Sequence, residues 1–73
     1  RKTYDILELL VRNKEIIMTK QQIFDRIWGY YSQTGPQVIE INIFRLRKIL
    51  SQFGFDVNLK TIKSTGYMWT EKV

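Results

Sequence analysis

Hydrophobic positions along residues 38–50 recur at helical spacing: wound at about 100° per residue, Ile39, Ile43, Leu46 and Leu50 fall in one narrow stripe suited to a core. The opposite side carries Gln37, Ile41, Phe44, Arg45 and Lys48. A helix that only stabilises a fold shows water a plain polar surface, whereas this one offers amide, apolar and cationic groups together. That mixture suits the major groove of DNA, where base edges present acceptors, donors and methyl groups.

The remaining punctuation divides the chain into short elements. Residues 4–12 read as a helix with Leu7, Leu10 and Val11 as its buried stripe and Asn13 as its stop. Ile16-Ile17-Met18 is a brief apolar link. Thr19-Lys20-Gln21-Gln22 then has the form of a capping box, in which the Thr19 hydroxyl accepts a backbone N–H and Gln22 reaches back; Met18 and Ile23 occupy the staple positions around it. The spacing predicts a second helix over about 20–28 that buries Ile23, Phe24, Ile27 and Trp28 and ends at Gly29. Residues 30–35 read as a loop. Pro36 fits the first turn of the third helix, where a missing N–H costs nothing; that helix is expected over about 36–53, stopping at Gly54. Residues 58–62 and 67–70 are β-prone runs joined by Lys63-Ser64-Thr65-Gly66, which reads as a hairpin. Tyr67 and Trp69, two apart on a strand, cover its inner face.

Three helices followed by a basic-tipped hairpin outline a mainly α domain with a small β-hairpin, a three-helix winged helix-turn-helix over residues 1–73. In that architecture the third helix enters the major groove, the second braces it against the backbone, and the wing, here about 58–70, reaches an adjacent groove. The tri-helical outline also serves folds that bind protein or RNA. A winged-helix module for protein or RNA interaction, with Ile41 and Phe44 as its apolar contact patch, is therefore the alternative.

Size and charge narrow this further. A chain of 73 residues holds one modest core, burying about 60% of the surface its unfolded form exposes. Apolar content of 44% is too high for a disordered segment, and with no cysteine there is no disulfide to help. The longest apolar runs are a few residues, so no membrane association is expected. The chain starts at Arg1 inside what reads as a helix, so a fragment of something longer is the expectation. Its net charge of +5 is weak evidence for an anionic partner, but the distribution is more telling. Between Ile41 and Thr70 the cations are Arg45, Arg47, Lys48, Lys60 and Lys63, against the single acid Asp56.

Catalysis is poorly supported. There is no His or Cys for acid-base, nucleophilic or metal chemistry and no Gly-rich phosphate loop, and the acids are scattered rather than paired. No enzyme activity, cofactor or metal is expected.

Three collinear landmarks carry a resemblance. Ile27-Trp28-Gly29-Tyr30, then Ile43-Phe44-Arg45-Leu46-Arg47-Lys48, then Thr61-Ile62-Lys63-Ser64-Thr65-Gly66-Tyr67 resemble the OmpR/PhoB family of bacterial response regulators, over nearly the whole chain from Tyr4 to about Trp69. The family pattern is V-W-G, then T-V-D-V-H-I-R-R-L-R-K, then T-V-R-G-x-G-Y. The resemblance implies the DNA-binding output domain of a two-component transcription regulator, acting in the cytoplasm. It implies a homodimer on DNA in the full-length protein, a sensor kinase reached only through a receiver domain not present here, and RNA polymerase contact by the loop of residues 30–35. Two tyrosines there, Tyr30 and Tyr31, suit a protein interface, and a loop packed back on its own domain is the alternative. This sequence departs from the pattern at several places. Phe44 replaces the first helix-three arginine, Asn42 replaces the histidine, and the wing's Arg-Gly pair becomes Lys63-Ser64. A point charge thus stands where a planar guanidinium would lie in a narrow minor groove, so minor-groove reading should be weaker. The small antiparallel sheet that opens the family's effector domain has no residues in this chain.

Individual roles follow from chemistry. Arg45 suits bidentate hydrogen bonds to guanine or a phosphate clamp. Gln37 reads as an adenine partner or, equally, as a cap for Thr34. Glu40, at the family's acidic position, accepts from a cytosine amino group or pairs with Arg47 or another nearby cation. Ile41, if exposed, suits thymine methyl contact; Phe44 suits that contact or packing against a neighbouring protomer. Asn42, Arg47, Lys48 and Thr61 read as phosphate contacts, which orient without specifying sequence, and Lys63 sits at the tip of the wing. Trp28 reads as core alone, with core plus an indole N–H that reaches a phosphate as the alternative.

Overall fold

The stripe on the third helix decides how the helices assemble. In a computed structural model, which describes residues 1–29 and 32–73, Ile39, Ile43, Leu46 and Leu50 are all buried on the inner face of α3 (Val38–Ser51). Around them gather Ile6 and Leu10 from α1 (Lys2–Arg12), Ile23 and Phe24 from α2 (Lys20–Ile27), and Leu59 and Tyr67 from two strands. Each fully buried aliphatic side chain here contributes about 1.5–3 kcal/mol.

Local sequence sets the boundaries. Asp5 in the first turn of α1 and Arg12 in its last complement the helix dipole, and Asn13 ends the helix, its side-chain amide donating to the Leu9 carbonyl at 2.8 Å. The capping box of α2 forms as its residues predict: the Gln22 amide donates to the Thr19 hydroxyl at 3.1 Å and the Thr19 amide to the Gln22 side chain at 2.9 Å. At α3 the α-helical ladder starts later than the expected 36. Pro36 and Gln37 lie in a tight turn whose carbonyls accept from Ile39 and Glu40, bonds of the three-residue type that tighten a helix start. Gly54, at φ +78°, ends the helical region in a left-handed conformation.

The buried stripe of α1 differs from the expected Leu7, Leu10 and Val11. Thr3, Ile6 and Leu10 are the buried residues, Leu7 is half-buried and Val11 is 38% exposed. The helix begins at Lys2, earlier than Tyr4, and its inward face runs through Thr3 because that hydroxyl meets α3.

Met18 and Thr19 do more than link helices. They form β1, which pairs with β3 (Gly66–Trp69), and β3 pairs with β2 (Leu59–Ile62), giving an antiparallel sheet in the order β1-β3-β2. Tyr67 is buried and Trp69 packs against the core, as the two-residue period requires. Residues Asp56–Asn58 form a short 3-10 turn before β2. The end of β3 is held by Glu15, itself in a left-handed conformation: its amide donates to the Trp69 carbonyl at 2.7 Å, and its carboxylate accepts from the Thr70 hydroxyl and the Glu71 amide. The Glu71 backbone bond first, then Thr70, holds the Glu15 carboxyl below its ordinary range.

Gly66 is where the sheet demands glycine. It pairs with Thr19, and a Cβ built there would strike the Met18 carbonyl and lie 2.8 Å from the Thr19 Cα, both rigid backbone. We expect Gly66→Ala to part β1 from β3 and to cost about 3 kcal/mol in urea unfolding. An unchanged midpoint would show that the two strands need not approach so closely.

Candidate nucleic-acid interface

Burial of one stripe turns the other side of α3 outward. Gln37, Glu40, Ile41, Phe44, Arg45 and Lys48 are exposed, with Ile41 at 52% and Phe44 at 59%. The Lys48 ammonium lies over the Phe44 ring, 4.8 Å from its centroid, an arrangement in which the ring quadrupole attracts the cation. Among the described residues Arg45 has no hydrogen-bonded partner, so its guanidinium is free to meet a ligand. The Gln37 side chain curls back over Gly35.

On one flank α3 faces the wing. Glu40 is engaged by Lys20 of α2, at 2.7 Å, in an exposed pair. The hydrogen bond to Glu40 raises the Lys20 pKa above its ordinary value. Lys20, Glu40 and residues 61–67 of the wing line one groove. Arg47, half-buried, donates to the Leu59 carbonyl at 2.9 Å and to the Thr61 hydroxyl, tying α3 to β2. Arg47 is therefore a strut between α3 and the wing before it is anything else, and Thr61 is its partner.

On the other flank α3 faces α1, and here one expectation is corrected. The sequence puts Asn42 among the phosphate contacts, but it is buried at 8% exposure. Its carbonyl accepts from the Thr3 hydroxyl at 2.7 Å and its amide donates to the Val38 carbonyl at 2.9 Å. Both ends are committed to the fold, so the side chain does not reach outward.

The wing tip is Lys63-Ser64-Thr65, closed by the Thr65 amide donating to the Ile62 carbonyl at 2.9 Å. Lys63 is exposed. Ser64 adopts φ +62°, a left-handed conformation that costs a non-glycine residue about 1 kcal/mol. Trp28 is half-buried; its ring stacks on Phe24, centroids 5.6 Å apart, and Lys2 lies over it while donating to the Ile27 carbonyl. Tyr30 and Tyr31, the expected polymerase-facing pair, lie outside the described residues.

Lys20 is the groove residue that sequence reasoning missed. A signal was present: a lysine at the first position of a helix opposes the helix dipole and needs an acid nearby. The acid comes from α3, at a sequence distance that no local pattern reveals.

A family described as "Transcriptional regulatory protein, C terminal" matches residues 1–69. The chain belongs to it. These are the DNA-binding effector domains of OmpR/PhoB-type response regulators, a family that binds DNA and carries out no catalysis. The chain is 40% identical over 67 residues to the transcriptional regulatory protein CiaR of Streptococcus pneumoniae, covering 92% of this chain and 30% of that protein. It is 35% identical over 65 residues to the response regulator ArlR of Staphylococcus haemolyticus, covering 89% of this chain and again 30% of the relative. The chain thus spans about a third of the length of these relatives. Among solved structures, the C-terminal domain of the nisin resistance regulator NsrR superposes with a TM-score of 0.84 at 24% identity, covering 99% of this chain and 73% of that one, which shows the winged-helix fold. A RitR mutant superposes with a TM-score of 0.77 at 29% identity, over 94% of this chain and 31% of that one. Among the described residues no helix is long and apolar enough to cross a membrane.

The inward placement of Asn42 has a measurable consequence. Asn42→Ala would leave the Thr3 hydroxyl buried without its partner, so we expect a loss of about 1–3 kcal/mol in stability. The salt dependence of DNA binding should stay unchanged. A weaker salt dependence with unaltered stability would return Asn42 to the phosphate contacts.

Proposed function

We propose that this chain binds double-stranded DNA sequence-specifically, as the output domain of a two-component transcription regulator, with α3 in the major groove and the wing near the minor groove. The observation that carries this reading is the exposed cationic side of α3, Arg45 and Lys48, in a domain whose wing tip bears Lys63. An α-helix fits the major groove, and an unpartnered guanidinium offers the fork that matches guanine O6 and N7. Lys48 and Lys63 attract phosphates as point charges; the Thr61 hydroxyl keeps its own proton to donate to one. Arg47 uses some of its five N–H donors on β2 and retains others for a passing phosphate. Glu40 becomes a cytosine acceptor only where a phosphate draws Lys20 away from it. Gln37, at the helix start, serves as an adenine partner after uncurling from Gly35.

A domain this small binds a single half-site weakly, and affinity comes from two copies on sites about one helical turn apart, as a homodimer of the longer protein. In that protein a receiver domain answers to a sensor kinase in the cytoplasm, and the loop that includes Tyr30 and Tyr31 meets RNA polymerase. These assignments rest on the family.

Selecting bound sites from random duplex DNA, followed by salt titration of the best site, tests the reading. Contact with about five phosphates gives a log-log slope between about −4 and −5. Arg45→Ala should cost about 1–3 kcal/mol and relax preference at one base pair, while Lys63→Ala should weaken all sequences alike and reduce the slope by about 1. A flat salt response with no enriched sequence would favour a module for protein or RNA instead.

A further inference from the structure

The outward face of α3 holds fewer hydrogen-bonding readers than its sequence suggests. Glu40 is engaged by Lys20, Asn42 is buried against Thr3, Arg47 is fastened to β2, and Lys48 is stacked over Phe44. Among the described residues, what remains outward without a hydrogen-bonded side-chain partner is Gln37 at the helix start and, along the body of the helix, Arg45 with two apolar side chains, Ile41 and Phe44, each more than half exposed. Single exposed hydrophobic residues need no explanation. Two of them three residues apart, on adjacent turns of one helix and flanked by Arg45 and Lys48, form a small apolar patch inside a cationic rim.

The surroundings indicate the occupant. The flanking cations complement the phosphates on either side of a groove, and the patch between them faces base edges. Those edges carry hydrogen-bonding groups at every base pair, and burying these against isoleucine or phenylalanine without a partner is costly. The major groove offers one apolar group, the thymine C5-methyl. Residues three apart advance about 4.5 Å along the helix, close to the rise of about 3.4 Å between base pairs, so the two side chains meet neighbouring pairs. The Lys48 ammonium also pins the Phe44 ring, so less side-chain freedom is lost on contact.

Resting on the duplex-binding reading above, we propose that Ile41 and Phe44 form a methyl-reading pair, so that this domain identifies its half-site largely by thymine C5-methyl groups on neighbouring base pairs, with Arg45 as the polar reader beside them.

The test uses the best duplex selected from a random pool, the same duplex with deoxyuridine in place of thymine, and a matched pair with cytosine or 5-methylcytosine, each opposite guanine, at the thymine positions. The wild-type chain should bind the uridine duplex about fourfold more weakly for each contacted methyl, or about fifteenfold for two. Ile41→Ala and Phe44→Ala, both at exposed positions and checked for folding by circular dichroism, should each bind the thymine duplex more weakly and reduce its advantage over the uridine duplex. Several outcomes would overturn the proposal while leaving DNA binding intact: equal wild-type affinity for both duplexes, a selected half-site without neighbouring thymines, or Phe44→Ala losing equal affinity on both. The last would place the ring against another protein surface. Improved binding to 5-methylcytosine placed at a former thymine position would add support, because that methyl occupies the same place in the groove. Absence of any enriched, salt-dependent duplex would overturn the duplex-binding reading and, with it, this proposal.

Discussion

The rotational setting of α3 is the constraint on which the rest depends. Four aliphatic side chains bury its inner stripe, and the two flanks are pinned differently. Toward α1 the pin is the Thr3–Asn42 hydrogen bond; toward the sheet and α2 it is Arg47 on β2 and Lys20 on Glu40. A helix buried along one stripe and tied at both flanks resists rolling, so the residues left over keep their direction. Side chains that stand near a base edge must arrive already aimed, since ordering them on contact would spend the binding energy. The fold supplies that aim.

Much of this was legible in the sequence because it is local. Ile39, Ile43, Leu46 and Leu50 repeat at the helical period, the Thr19–Gln22 box lies within four residues, and the wing residues Tyr67 and Trp69 alternate as strands must. Asn42 was not legible. At 100° per residue it lies about 70° from the centre of the buried stripe, a boundary position whose fate depends on what packs there. Thr3, distant in the chain, settles it. Arg47 occupies the opposite boundary and is claimed by β2 in the same way. The two-residue strand β1 is too short for any alternation; only Gly66, with no room for a Cβ against Met18, betrays it. Even the α1 stripe shifted once Thr3 became part of the contact.

These non-local contacts also redistribute chemistry. Each strut that fixes α3 occupies a polar group that would otherwise be available to a ligand, and the consequence is an outward surface more apolar and more sparsely polar than the composition suggests. Positive charge is carried where it cannot be withdrawn into the fold: Arg45, Lys48 and the wing-tip Lys63. The wing keeps its cation but holds Ser64 in a left-handed turn, so it trades a guanidinium and a relaxed turn for a compact charge on a strained one. Affinity and reading are thereby divided, with charge at the rim and shape at the centre of α3.

The account stands most directly on which face of α3 meets the duplex, and amide and methyl NMR of the chain titrated with a selected duplex measures that. Signals from Ile41, Phe44, Arg45, Lys48 and Lys63 should shift together, while Thr3, Asn42 and Ile43 hold their positions. Shifts centred instead on Phe53, Phe55 and Val57, the exposed apolar residues beyond the end of α3, would contradict it.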